Sequence, residues 1–440
     1  GGFSKGAGHP FAHCIHNERL VLGGSKAFPD RIWASRVNDW TDFEETGAEV
    51  SAFNFTVQSN TVDGIRWLIS NQSLMMGTAD AEILVTHSNG EGGFSATNIS
   101  VEPQTRYGSS KVNPVIAADT VFFVQGGSRT IRSINYNLQK DKMMASDMAI
   151  LAHHIFDGQL FHNIVKMDFY RNPQSNLVVL RESGDGAILV YDDEQQIAGW
   201  STFHLGGTSP DGSSNDDHII DMGVNSGEHG DNLVCVVKRP SNGHGPPVYS
   251  LEQIDNRDYD FTHSSTSRPP YLDSYIVTTP DSVPDHYFSR SVIGVVDGSW
   301  RKLEDGDGFT YDASGKVYLD SIPGNPNVYL GYPTDFEAQP TDLVKPYDFG
   351  PLRSTPAVNI YFHRSNVPSL EINGRLTSHG KGAINSTDEE FRFEDVNGPV
   401  KITSNPGLAE SISIRMYGSD PYPFELLGIG VDNPDAGGGR

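Results

Sequence analysis

The chain has little cysteine, a shortage of positive charge and no long apolar run. Its two cysteines, Cys14 and Cys235, cannot build a disulfide framework and leave too few thiolates for a Cys-rich zinc site. Two buried free thiols are expected. No stretch of about 18 apolar residues occurs, which argues against a membrane-spanning helix. Lys and Arg number 32 against 56 Asp and Glu, a net charge of −24. Such a surface repels nucleic acid, because DNA binding needs cations that release its counterions. Also missing are a G-x-S-x-G elbow, a Walker loop and a G-x-G-x-x-G turn opening a helix after a strand. The opening "GGFSKGAGHPFAHC" has neither an initiator Met nor an apolar signal core, and reads as the interior of a longer polypeptide.

What is present is turn chemistry and short apolar strands. There are 46 glycines and 26 prolines, a density that suits many tight turns in a folded chain with 10% aromatic residues. From residue 16 to 255 one unit recurs: an apolar strand, a Gly- or Asn-containing turn, a second strand and a polar connection. Five instances stand out, at 19–36, 65–87, 120–138, 176–203 and 232–254. Their spacing of roughly 45–60 residues is that of propeller blades. The fold class predicted is all-β, with a β-propeller over 1–255. Pro-rich stretches at 256–270 and 337–356 bracket a small β-sandwich or barrel domain (256–350), and a C-terminal β region (351–440) follows. The tail "NPDAGGGR" is predicted to be disordered.

One stretch interrupts the strands. "SDMAILAHHIF" (146–156) predicts a helix capped by Ser146 or Asp147, with Met148, Leu151, Ile155 and Phe156 toward the core. Its acid and adjacent histidines suggest a metal site, yet neighbouring helical residues point about 100° apart. Asp147 also lies six and seven positions from His153 and His154, where zinc helices space ligands by four. The expectation is one histidine in packing and the other facing solvent or a neighbouring subunit.

Other acidic groups fare no better. "LEDGDGFTYD" (303–312) fails as a calcium loop, since counting from Asp305 places Phe309 and Thr310 at the fifth and sixth positions. Asp211, Asp216 and Asp217 are expected in a solvated loop. Asp193 and Glu194, a candidate glycosidase pair, fall in a turn between strands. No catalytic, cofactor-binding or metal-binding residue is assigned, and the chain is expected not to be an enzyme.

The order of these pieces carries a resemblance. "HNERLVLGGSKAFPDRIWASRVNDWTDFEE" (16–45) resembles the opening of the propeller in the tail nozzle, or tail tubular protein B, family of short-tailed bacteriophages. The matching residues are Arg19, Leu20, Ser35, Arg36, Asp39, Trp40, Asp42 and Phe43. The resemblance continues in order through "GIRWLISNQSLMMGTADAEILVT", "NPVIAADTVFFVQGGSRTIRSINYN" and "ASDMAILAHHIF". It then runs through "MDFYRNPQSNLVVLRESGDGAILVYDDEQQIAGWSTF", "GVVDGSWRKL", "GKVYLDS" and "NVYLGYPTDF" to "PYPFELLGIGVD". It therefore spans residues 16–432, and the N-terminal half found in the family is absent.

The resemblance implies a virion tail protein at the distal end of a short tail that forms a homo-hexameric ring, contacts tail adaptor and tail fibre proteins, and conducts viral DNA through its lumen without specific binding. The alternative reading is a receptor- or glycan-binding propeller module of a tail fibre or adhesin, with Trp33, Trp40 and Trp300 as stacking candidates. A propeller hydrolase is a third.

Overall fold

The structure, a computed structural model, describes residues 5–57, 64–87, 93–156, 163–172, 174–195, 197–206, 217–227, 230–240, 246–254, 272–278, 292–296, 299–305, 308–311, 317–319, 328–340, 357–365, 368–377, 391–392, 396–403, 412–419 and 424–431. The chain divides into two compact units. One comprises Gly1–His204 with His218–Val237, the other Leu205–Asp217 with Lys238–Arg440.

The first unit is a β-propeller array. Strands β1 (Ala12–His16), β2 (Arg19–Gly23), β3 (Arg31–Ala34) and β4 (Phe53–Thr56) form the first blade, each antiparallel to the next. The second blade is β5 (Ile65–Ser70), β6 (Leu74–Thr78), β7 (Glu82–His87) and β8 (Ile99–Thr105). The third is β9 (Val115–Ala117), β10 (Thr120–Val124), β11 (Ile131–Asn137) and β12 (Lys142–Asp147). The fourth is β13 (Ile164–Tyr170), β14 (Asn176–Arg181), β15 (Gly186–Asp192) and β16 (Ile197–Phe203). A fifth begins with β17 (His218–Gly227) and β18 (Gly230–Arg239).

Period-two alternation explains how the blades stack. On β10, Phe122 and Val124 pack against Ile164, Leu177 and Val179 of the fourth blade. Val121 and Phe123, on the opposite face, meet Trp67 and Met75 of the second. Both faces are covered, so every residue of β10 is buried and the strand reads as a continuous apolar run. Val21, Ile32 and Phe53 pack in the same way against Ile65, Leu74 and Met76. The outermost strands differ: β8, β12 and β16 are half-exposed and polar, and Pro103 sits in β8, where an edge strand needs no donor.

The predicted 11-residue helix is corrected. Residues 142–147 form β12, whose ladder to β11 runs from Asn137↔Lys142 to Arg132↔Asp147, and pairing takes precedence over the capping signal. Only His153–Phe156 is helical. Ile155 and Phe156 are buried and Met148 packs on the same core, but Leu151 is 94% exposed. Both cysteines are free, Cys14 half-buried and Cys235 buried.

In the second unit one sheet runs in the order Asp273–Thr278, Val328–Tyr332, Val292–Val296, Ser299–Asp305, Gly308–Tyr311, Val317–Leu319. Two further sheets form a sandwich. Phe336–Ala338, Ile414–Gly418, Ser369–Ile372 and Arg375–Thr377 make one, and Val396–Thr403, Ala357–Ser365 and Leu426–Val431 the other. Their shared core is Val358, Ile360, Phe362, Leu370, Ile372, Ile414 and Met416. The Pro-rich stretch 256–270, most of 337–356 and the tail 433–440 lie outside the described residues.

Candidate functional site

The first blade gathers the residues that carry the family resemblance. A two-residue turn joins β1 to β2, with Asn17 and Glu18 both at positive φ (46° and 62°), the backbone a tight hairpin requires. The Asn38 amide holds that turn, its backbone N–H donating to Glu18 O and its side chain to Glu18 Oε2.

Arg19 follows the turn and is 2% exposed. Its guanidinium donates to Ser35 O (2.6 Å), Ser51 O (2.7 Å) and Glu49 O (2.6 Å), and its Cζ lies 5.2 Å from the centre of the Phe53 ring. Burial pulls the guanidinium below its ordinary pKa. The planar fork of an arginine suits this role, because it serves several carbonyls at once. Ser35 Oγ accepts from Leu20 N–H and donates to Arg36 O. Arg36 pairs with Asp42 at 3.6 Å, and Asp39 accepts from both the backbone and the hydroxyl of Thr41, which holds its carboxyl below the usual range. Six of the eight residues thus interlock as one knot. Trp40 projects outward at 51% exposure.

A second feature lies on the outer strands of the second and third blades. Gln104, Thr105, Arg106, Tyr107, Lys142, Met144 and Ala145 line a cleft of about 300 Å³. Its wall is fixed from below by Glu82, a fully buried carboxylate that accepts from Thr105 Oγ1, Ser109 Oγ and Tyr107 N–H. Arg132 lies over the Tyr107 ring at 3.6 Å and is itself held by Gln125 Oε1, while Gln104 Oε1 accepts from Met143 N–H and ties the two blades together.

In the second unit Arg239, 1% exposed, donates to Asp217, Glu252 and Asp273. Its ring partner is Tyr332, 5.1 Å away. Burial raises the Asp273 carboxyl above its ordinary value, and that effect exceeds the opposing pull of Arg239. Asp217 therefore departs from expectation: it is a buried partner of Arg239 and not a solvated loop acid, because an unpaired buried guanidinium would be far costlier. Asp211 and Asp216 lie outside the described residues.

The remaining candidates are not brought together as a reactive site. His153 and His154 are both exposed, so neither packs into the core as expected. Asp147 accepts from Ala149 N–H and lies 3.8 Å from His153 Nε2. Asp193 and Glu194 are exposed in the β15–β16 turn, where Asp193 accepts from the Tyr191 hydroxyl. Asp305 ends one strand and Phe309–Thr310 belong to the next. Trp33 is buried at 6%, and the Trp300 side chain lies outside the described residues. Among the described residues no group of three His, Cys, Asp or Glu is placed to hold a metal, and no helix is long and apolar enough to cross a membrane.

Sequence reasoning missed the Arg239 cluster, Glu82 and the cationic cleft. The only signal for the first was a charged end on the apolar run "NLVCVVKR".

No family model and no curated protein matches the chain. Among solved structures it is similar to the Cps50 (Swd1) β-propeller domain of Myceliophteria thermophila, with 7% identity over 57% of this chain and 74% of that one (TM-score 0.31). It is also similar to the Pan2 WD40 domain of Neurospora crassa, with 10% identity over 74% and 90% (TM-score 0.30). It is the chain's own strand pairing, four consecutive four-stranded antiparallel sheets, that makes it a β-propeller followed by further β-sheets.

The expectation that it is not an enzyme is corrected. Structures to which it is similar include an exo-β-1,3-galactanase of Phanerochaete chrysosporium, with 11% identity over 86% of this chain and 96% of that one (TM-score 0.22), a GH43 glycoside hydrolase and a luciferin-regenerating enzyme. Enzymes thus stand among its structural neighbours, and the lack of a familiar motif does not exclude activity. At these scores the likeness assigns no reaction to this chain.

Proposed function

We propose that this chain is the propeller-bearing part of a bacteriophage tail nozzle, a ring-forming virion protein through which DNA leaves a short tail. The observation that carries the reading is the knot around Arg19. Six of the eight residues named for the resemblance, scattered over 19–42, are bonded to one another. The net charge of −24 supports the same reading, since an acidic wall leaves DNA free to slide. Propeller blades also leave few open sheet edges, which suits a rigid subunit of a closed cyclic assembly.

Light scattering on the purified chain tests the ring: six copies of a 48.1 kDa chain give about 290 kDa. Electron microscopy of the assembled particle then locates the ring along the tail. A chain that remains monomeric alone and with tail partners, and that binds a glycan, would refute the reading in favour of a receptor-binding module.

A further inference from the structure

The cleft between the second and third blades is unusual for this chain. Cations are outnumbered 32 to 56, yet this cleft is lined by Arg106 and Lys142 and by no acid, with Arg132 stacked on its Tyr107 wall. Arg106 and Lys142 are exposed and have no ion-pair partner among the described residues. The wall is preorganised, because buried Glu82 holds Thr105 and Tyr107 and Gln104 anchors Met143. A cationic hollow with a rigid wall is shaped to receive carboxylates.

The same unit carries a matching projection. The β15–β16 hairpin ends in Asp192, Asp193 and Glu194, three consecutive acids at the tip of a sheet. Asp192 Oδ1 accepts from Gln195 N–H and Asp193 Oδ1 from Tyr191 OH, so the turn has a defined shape, with Glu194 exposed. Both features belong to outer strands of the propeller unit.

We infer that the cleft of one copy receives the Asp192–Glu194 turn of the next, forming the head-to-tail contact that closes the ring. The inference rests on the ring reading proposed above. Two different patches meeting on adjacent copies make a heterologous interface, the kind that generates cyclic assemblies. Copies that each carry −24 repel one another, so a contact that sets cations against acids is favoured, and the acidic turn of an identical copy supplies the acids.

The test uses the full chain, with light scattering for mass and circular dichroism for folding. R106E/K142E and D193K/E194K should each fall from about 290 kDa to the 48.1 kDa monomer while staying folded. An equimolar mixture of the two should restore rings, because each reversed cleft then meets a reversed turn and each native cleft a native turn. If the unaltered chain forms rings and R106E/K142E does too, or if the mixture stays monomeric, this contact is wrong and the ring reading survives. If the unaltered chain never self-associates, alone or with tail partners, the ring reading fails and takes the contact with it. Saturable binding of a uronic-acid oligosaccharide to the monomer, lost in R106E/K142E, would overturn the inference by assigning the cleft to an acidic glycan.

Discussion

Replacing Arg19 by Ala should destabilise the first blade of the propeller unit by a few kcal/mol. The guanidinium makes three short bonds to carbonyl oxygens, of Ser35, Ser51 and Glu49, and among the described residues no carboxylate pairs with it. Bonds to a charged donor contribute about 1.5–3 kcal/mol each. Their simple sum overstates the loss, since the alanine variant also escapes the cost of burying a charge, and water can reach the carbonyl of exposed Glu49. What remains is two buried carbonyls, of Ser35 and Ser51, left without a donor at about 1–3 kcal/mol each, so the expected loss is about 2–4 kcal/mol. Arg19→Lys keeps the charge but lacks the planar fork, so it should recover only part of the loss, roughly half. Two compact units need not unfold together, so a global melt alone is ambiguous. Hydrogen exchange at the amides of Leu20 and Ser35, whose bonds belong to the knot, isolates the effect. An Arg19→Ala loss below about 1 kcal/mol, with unchanged exchange at both amides, would refute the claim that this residue organises the blade.

Further outcomes follow from single sites. At Gly77 an added Cβ would lie 2.1 Å from Trp67 Cε2 and 2.5 Å from Ser109 Oγ, whereas one at Gly199 meets nothing within 4 Å. Urea unfolding should therefore show a loss of about 3 kcal/mol for Gly77→Ala and under about 0.5 for Gly199→Ala. Asp231 accepts from the Ser226 hydroxyl and the Arg171 N–H, which hold its carboxyl below the ordinary range. Its stabilisation is present above the unfolded value of about 3.9 and is lost as pH falls through the folded value, so D231N should flatten the decline in stability seen on acidification. Burial pushes the Cys14 thiol up from 9.0 to about 12, so its thiolate fraction at pH 8 is about a thousandfold below that of an ordinary thiol. With Cys235 buried as well, a disulfide reagent should find no fast-reacting cysteine in the native chain.

What could be read from the sequence divides along physical lines. Strands such as Thr120–Val124 and Asn176–Arg181 were visible because both of their faces are covered, leaving an apolar run between turn residues. Their outer partners were not. "ISVEPQT" and "KMMASD" are half-exposed, so their sequences carry neither alternation nor an apolar run, and pairing to an inner strand holds them in place. That same pairing drew Asp147 out of the predicted helix. Asp217 was misjudged because its partner Arg239 is distant in sequence, and only the fold brings a charge to a buried acid. The cleft was invisible for the same reason, since Arg106 and Lys142 come from different blades. Arg19 was singled out only by the resemblance, and its reason for being there, three carbonyls to satisfy, lies in the geometry.

The salt response separates the two electrostatic roles argued for this chain. Among the described residues three arginines (Arg19, Arg181, Arg239) and three acids (Glu82, Asp217, Asp231) are buried, so burial leaves the charge of the exterior close to the formal −24. Repulsion between such copies acts over tens of ångströms. At about 0.01 M salt the screening length is near 30 Å and the repulsion is felt in full; at about 0.1 M it shortens to near 10 Å. A contact between the cleft cations and the Asp192–Glu194 turn acts at hydrogen-bonding range and survives that first screening. Near 1 M the length is about 3 Å and the contact is weakened as well. Self-association should therefore rise with salt, pass through a maximum near physiological strength and fall again. An interface held by apolar area would strengthen monotonically with a salting-out salt instead. Sedimentation across that range, on the unaltered chain and on R106E/K142E, reads the difference: the variant should lose the maximum, and a variant that keeps it would mean that other surfaces hold the copies together.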